Sequence, residues 1–348
     1  MFKPKFSISN KVNNSLTQIE RVRGFLEATQ LKEEWLTQMQ NRALVLETHY
    51  STHIEGTQLT LEQSTKILAG KKVAGIRQVD KKELLNYKEA MEFVSKYLGN
   101  GDPITEGLIR EIHKILVKGV RGEKAEPGSY RKKQNYVVNS LTGEIVYTPP
   151  PAIEVPSLMR EFIEWINTPK DLSPVIVAGI SQFQFVHIHP FLDGNGRTAR
   201  LLSTLILYKS GYDFKRLFTI SEYYDKNRPA YYKAIQSVRE NNMNMTQWLE
   251  YFTEGLKSQM LEIQEKGKMV IKEDVLKNKA KDLRLNEQQR KVLTYLLRNR
   301  RISVNSYQEK FSVIRRTAQR DLKKLVDLKL VKVMAKSKTD PTGYYELL

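Results

Sequence analysis

The chain has no cysteine. A disulfide framework and a thiolate zinc site are therefore both excluded. Long apolar runs are also missing: the longest, Leu201 to Tyr208, is interrupted and far short of the ~20 residues that a bilayer-spanning helix needs. The N-terminal stretch MFKPKFSISNKVNNS holds no apolar signal core, so a soluble cytoplasmic protein is expected, with no membrane partner. No GxxxxGK followed by Ser or Thr occurs, which excludes a Walker A phosphate loop. No internal repeat or low-complexity tract is evident. Acidic charge is in short supply, with 39 Asp and Glu against 57 Lys and Arg, a net +18. That excess favours acidic partners such as nucleotides, nucleic acid or a negative protein surface. The 348 residues are enough for two domains or more.

What is present is concentrated in residues 187–200, HIHPFLDGNGRTAR. Before it, Val175 to Ala178 with Phe183, Phe185 and Val186 predict a buried helix, which should end near His189 because Pro190 has no N–H to continue it. After it, Gly194 and Gly196 permit positive φ and close backbone approach, and an apolar helical pattern resumes from Arg197 to Tyr208. A glycine loop feeding a helix start points unpaired N–H groups outward at the positive end of the helix dipole, which makes a cradle for anions. Arg197 and Arg200 lie three apart and can serve one polyphosphate. Asp193 offers a hard oxygen for Mg²⁺ bridging phosphates. His189 is the nearby group able to take a proton near neutral pH. Together these suggest nucleotidyl or phosphoryl transfer.

Other readings of the stretch fare worse. His187 and His189 could form an HxH metal pair, but no further His or Cys cluster supports a transition metal. DGNG opens like a calcium loop, yet the twelfth position from Asp193 is Thr204 and not Glu.

The segment His189 to Arg200, HPFLDGNGRTAR, resembles the signature of the Fic family, HPFxx(D/E)GNGRxxR, at every defined position. The resemblance implies an all-α Fic fold with a small β-hairpin flap that transfers AMP from ATP to a protein hydroxyl. It implies His189 as the base and Asp193 as the Mg²⁺ ligand. Gly194, Asn195 and Gly196 would be the phosphate loop, Arg197 and Arg200 the phosphate clamps, and Phe191 a core anchor. The tyrosine-rich stretch 221–235 follows the signature helices, a segment that helps build the adenine pocket in the family. Tyr224 and Asn227 are thus candidate base contacts, although tyrosines at helical spacing also suit a core. Trp248, Tyr251 and Phe252 should close that core.

Upstream, residues 16–98 read as helices, and one of them carries STHIEGT. By pattern alone, Glu55 is a surface residue before a Gly56 helix stop. Beside the signature, Ser51, Glu55 and Gly56 resemble the family's inhibitory motif, (S/T)xxxE(G/N), in the class where that helix is N-terminal; His53 would be incidental. A helix is expected over 103–118, with Thr105 near its start. Residues 128–151 then hold two short β-like runs, Tyr136 to Asn139 and Glu144 to Thr148. A lone hairpin leaves an edge to which a target segment can add as a strand, and this one resembles the Fic flap.

The expected organisation is an N-terminal helical region over 1–100, a catalytic core over 101–255, a helical connector over 256–284 and a last domain over 285–348. The last domain reads as three helices and a β pair, an order that resembles a winged helix-turn-helix (α+β). It carries 15 Lys and Arg against 6 Asp and Glu, so half of the net charge sits there. Arg315, Arg316, Gln319, Arg320 and Lys323 on its third helix are candidate DNA contacts. A protein-docking or dimer module would use the same shape. The expected activity is AMP transfer from MgATP to a Ser, Thr or Tyr hydroxyl of a target docked on the flap, or of the protein itself, restrained by Glu55. Removal of AMP at the same site and a nucleotide-sensing DNA regulator are the alternatives, and homodimerisation stays open.

Overall fold

Ser9, Thr60, Thr105, Ser173, Asn286 and Ser303 each stand just before a helix and accept a hydrogen bond from its first turn, the side-chain chemistry that starts helices. A computed structural model describes every residue except 1, 98–101, 121–125, 139–141, 213, 336–339 and 341, with residue 215 described by its backbone alone. In chain order the helices and strands of the first part are α1 (Asn10–Ala28), α2 (Glu33–Ile54), α3 (Leu61–Leu68), α4 (Gln78–Tyr97), α5 (Glu106–Val117), β1 (Val137–Val138), β2 (Ile145–Tyr147), α6 (Val155–Asn167), α7 (Pro174–Ile188), α8 (Asn195–Lys209), α9 (Ile220–Lys226) and α10 (Arg228–Glu240). Then come α11 (Thr246–Asp282), α12 (Glu287–Asn299), β3 (Arg301–Ile302), α13 (Val304–Phe311), α14 (Arg315–Asp327), β4 (Val331–Met334) and β5 (Tyr344–Leu347). The chain divides into two units, residues 1–263 and 264–348. No helix among the described residues is long and apolar enough to cross a membrane.

The first unit is built around α7. This helix is apolar all round and buried on every side, as a helix through the middle of a core must be. Gly179 makes room for its neighbours: a Cβ there would lie 2.9 Å from side-chain atoms of both Leu249 and Phe252. Trp248 donates to the Gly179 carbonyl at 2.7 Å, so α11 is pinned to the same point. α8 packs against α7, and α1, α4, α5, α6 and α11 complete one continuous core that also takes Trp248 and Phe252. The N-terminal helices share that core. β1 and β2 pair antiparallel, Val137 opposite Tyr147 and Val138 opposite Ile145, with an irregularity between them. Residues 139–141, which include the end of the first expected run at Asn139, lie outside the described residues.

The second unit has its own core of Leu285, Val292, Leu293, Leu296, Ile302, Tyr307, Ala318, Leu322 and Leu325. Its three strands run in the order β3-β5-β4. The β pair expected from the sequence is therefore joined by β3, two residues long and too short to read as a strand. Residues 256–282 of the helical connector expected over 256–284 lie in α11, a 37-residue helix that begins at Thr246.

Candidate active site

α7 ends where the sequence says it must. His189 takes the left-handed conformation, φ 52° and ψ 56°, and Pro190 turns the chain out of the helix. The loop that follows is held from inside. Asn195 accepts from the Phe191 N–H at 2.9 Å and donates to the Phe191 carbonyl at 2.7 Å. Phe191 is fully buried and stacks on the His113 ring at 3.6 Å. His113 takes the Gly128 N–H on Nδ1, so its Nε2–H donates to the Asp193 carbonyl at 2.9 Å. The Asn195 side chain thus closes the loop instead of facing a ligand. Gly194, at φ 77°, is tightly enclosed, and a Cβ there would lie 2.9 Å from Val117.

α8 starts at Asn195, and the N–H groups of Asn195, Gly196 and Arg197 precede its first internal bond, from Thr198 to the Gly194 carbonyl. At Gly196 a Cβ would run into the Glu55 carboxylate, so only glycine leaves this surface open. Arg197 is 1 % exposed, 3.4 Å from Glu83 and 3.6 Å from Asp193. Its Nη1 is the atom facing Glu83, and its Nε has no hydrogen-bond partner. The Asp193 side chain is about two-fifths exposed and accepts the Gly194 N–H at 2.6 Å. No group of three or more His, Cys, Asp or Glu able to hold a metal exists among the described residues. One carboxylate beside a phosphate cradle fits Mg²⁺, which keeps waters and shares phosphate oxygens.

His189 lines a cavity of about 790 Å³ with Glu55, Gly196 and Arg200 at one part of its wall and Val137, Val138 and Val146 of the hairpin at another. Its Nδ1 donates to the Val186 carbonyl at 3.2 Å, which leaves Nε2 as the acceptor. Burial lowers its pKa to about 4; Arg131 and Arg239 push the same way, against the Val186 carbonyl and Glu55. The imidazole is neutral at neutral pH and ready to take a proton. His187 is occupied otherwise, with Nδ1 and its carbonyl each 2.8 Å from the Tyr147 hydroxyl, and burial lowers its pKa to about 4 too. The HxH metal pair is not assembled.

Ser51 and Glu55, one turn apart at the end of α2, meet Arg200. The guanidinium donates from Nε to the Ser51 hydroxyl at 2.7 Å, and from Nη2 to the Ser51 carbonyl and to Glu55 Oε1, each at 2.8 Å. Arg200 is 1 % exposed, while a quarter of the Glu55 side chain remains open. Burial pushes the Glu55 carboxyl up, but Arg200 and Arg197 outweigh it and hold the group below the ordinary carboxylate range. Gly56, at φ 100°, turns the chain out of α2.

Several residues at this end of α2 carry no motif. Glu47, buried two turns before Glu55, accepts from the Tyr87 hydroxyl at 3.0 Å, the Ser221 hydroxyl at 2.5 Å and the Ser221 N–H at 3.1 Å. His53, expected to be incidental, lies 2.9 Å from Asp225 and 2.6 Å from Arg228. Their partners come from α4, α9 and the start of α10, so no spacing in the sequence announces them.

Neither Tyr224 nor Asn227, the expected base contacts, lines the cavity. Tyr224 is fully buried, stacked on Tyr231 at 4.3 Å with its hydroxyl on Gln182, because α9 turns it into the aromatic core with Trp248 and Tyr251. Asn227 caps α10 by accepting the Ala230 N–H. The aromatics that line the cavity are Tyr231 and Tyr232.

Residues 103–207 match the Fic/DOC family model. This segment carries the likeness to the family. The chain is 31 % identical over 200 residues to the protein adenylyltransferase Fic of Drosophila willistoni, covering 57 % of this chain and 38 % of that protein. It is 31 % identical over 199 residues to the protein of the same name from Culex quinquefasciatus, covering 56 % and 38 %. The chain spans about two-fifths of the length of these curated relatives. A crystal structure of a Fic family protein from Desulfovibrio desulfuricans superposes with a TM-score of 0.66 at 23 % identity, over 100 % of this chain and 98 % of that one. Fic-1 of C. elegans gives 0.61 at 22 % identity, over 75 % and 73 %. Both likenesses bear on the fold: a mostly helical Fic fold with a two-stranded hairpin, and a small C-terminal three-stranded sheet.

Proposed function

We propose that the protein transfers AMP from MgATP to a Ser, Thr or Tyr hydroxyl of a target protein, and that Glu55 restrains it. The observation that carries the reading is the Arg200–Glu55 contact at 2.8 Å inside the cavity that His189 lines. The free N–H groups at the start of α8, with Arg197 and Arg200, would hold the phosphates. Mg²⁺ on Asp193 would supply charge neutralisation there. The target hydroxyl loses its proton to His189 Nε2 and its oxygen bonds to the α-phosphorus. The bond from that phosphorus to the bridging oxygen breaks, and pyrophosphate leaves. A general base of this kind contributes ~10²–10⁴ in rate. The hairpin carries Tyr136, Val138, Ile145 and Val146 half-exposed, a surface on which an extended segment can dock as an added strand.

Glu55 takes the guanidinium that a γ-phosphate would otherwise use. Because the carboxylate is partly open, the pair lies between the roughly 1 kcal/mol of exposed pairs and the ~3–5 kcal/mol lost on breaking buried ones. Glu55→Gly should therefore raise kcat more than it lowers KM, since it corrects the placement of the α-phosphate. Arg200→Ala should cancel the gain. Automodification with α-labelled and γ-labelled ATP measures this. Equal rates for wild type and Glu55→Gly would remove the restraint, and no transfer of α-label by either would remove the reaction.

A second role, DNA binding, draws support from the other unit. Arg315, Arg316, Gln319, Arg320 and Lys323 are all exposed on α14, opposite the buried Ala318, Leu322 and Leu325, and only residues 312–314 separate α14 from α13. Duplex affinity that falls steeply with salt is expected. Absence of binding at low ionic strength would favour protein docking for this face.

A further inference from the structure

Arg131 lies where the chain enters the hairpin, outside the signature, and is 3 % exposed. Its guanidinium donates to four main-chain carbonyls. Nε reaches His189 at 2.9 Å and Nη1 reaches Lys133 at 3.4 Å. Nη2 bonds the Pro150 carbonyl and reaches that of Ile188 at 3.5 Å. The Arg131 backbone N–H adds a fifth bond, to the Pro190 carbonyl at 2.9 Å.

The placement of these acceptors matters. Lys133 precedes β1 and Pro150 follows β2, so they are the two feet of the hairpin. Ile188 and His189 stand at the end of α7, where a helix leaves its last carbonyls without internal partners. One rigid planar fork thus joins both feet of the hairpin to the backbone of His189. Neighbouring bonds extend the seam. Asn135 donates to the Phe191 carbonyl at 3.0 Å, and the Tyr147 hydroxyl meets His187.

We propose that Arg131 is a positioning residue that sets the hairpin in register with His189, so that a hydroxyl carried on the hairpin arrives at the imidazole Nε2. The proposal rests on the transferase reading above. Arg131 touches no reacting atom. Its effect falls on the acceptor that must be aligned with the hairpin, and not on water, which reaches the in-line position without docking on the hairpin. A ~1 Å misplacement can cost about a hundredfold in rate, so the two acceptors should separate clearly.

The test uses the full chain in the Glu55→Gly background, with Arg131→Lys and Arg131→Gln. Four quantities are read: α-label transferred to protein, AMP released to water, ATP affinity by calorimetry, and hydrogen exchange over 131–137, 145–151 and 187–191. Arg131→Lys keeps the charge and loses the fork. It should lower protein labelling by about tenfold or more, while AMP release and ATP affinity change by less than roughly threefold. It should also speed exchange in the hairpin feet and at 187–191 together. Arg131→Gln removes a positive charge facing His189, leaving Arg239 as the charged group there once Glu55 is replaced by glycine. The acid limb of its rate profile should move to higher pH, whereas Arg131→Lys should leave it in place.

Wild-type labelling in Arg131→Lys, or a proportional fall of labelling and AMP release, would overturn the proposal and leave Arg131 as a helix cap. If Glu55→Gly itself transfers no label, the transferase reading fails. Exchange then decides the coupling, and unchanged protection in either segment would overturn it. Should both Arg131 variants fail to fold, Asn135→Ala cuts the same seam at one bond and should give a smaller split in the same direction. No split there would equally overturn it.

Discussion

His189 illustrates how one burial sets a chemical role. Taken out of water at the end of α7, with Nδ1 spent on the Val186 carbonyl, it presents a neutral Nε2 at a pH where a solvated imidazole would be partly charged. Its folded pKa is about 4, so protonation silences it only well below the usual histidine range of about 6.5. The rate of AMP transfer at pH 5.5 is therefore expected to lie within roughly twofold of that at pH 7.5, where an unshifted base would have lost about tenfold. A tenfold loss in kcat/KM over that interval would show the base to be a solvated group. His189→Ala should abolish transfer while ATP still binds, because the cradle at Gly194 to Arg200 does not depend on the ring. Asn195 shows the opposite case: its motif position was legible, but its side chain proves to fasten Phe191, and only the loop's folded path reveals that.

At the scale of the element, α2 is held by polar groups and not by an apolar stripe alone. Glu47, Ser51 and Glu55 follow one another at every fourth residue, so they share one face, and all are taken by buried partners from α4, α8 and the start of α9. Burial raises the Glu47 pKa, and the three donors from Ser221 and Tyr87 oppose that shift. Glu47→Ala would leave those donors unpaired at a cost of about 1–3 kcal/mol and loosen the helix that carries Glu55. Lower thermal stability with faster basal transfer is the expected pair of results. An unchanged melting temperature would mean that α2 is held without Glu47. The Ser51–Glu55–Gly56 spacing was readable because it is local, whereas Tyr87 and Ser221 enter from 40 and 174 residues away.

For the whole molecule, the histidines make stability depend on pH. His49, His113, His187 and His189 each have a pKa lowered to about 4, with burial as the first cause in every case. A depressed folded pKa means that the unfolded chain binds protons first. The stabilisation is complete above the unfolded value near 6.5 and is lost as pH falls towards 4. The melting temperature should drop by several degrees between pH 7 and pH 5, and a flat profile would contradict this burial. The two glycines, the proline and the arginines of residues 187–200 specify helix, loop and helix through φ limits and missing donors, which act over a few bonds, so that stretch reads directly from the chain. The helix caps and the apolar periods of both units are legible for the same reason. Tertiary packing alone decided that Tyr231 and Tyr232 line the cavity while Tyr224 fills the core, and that Glu55 meets Arg200. It alone made Arg131 a bond between hairpin and base, because such contacts join segments whose separation along the chain carries no pattern of its own.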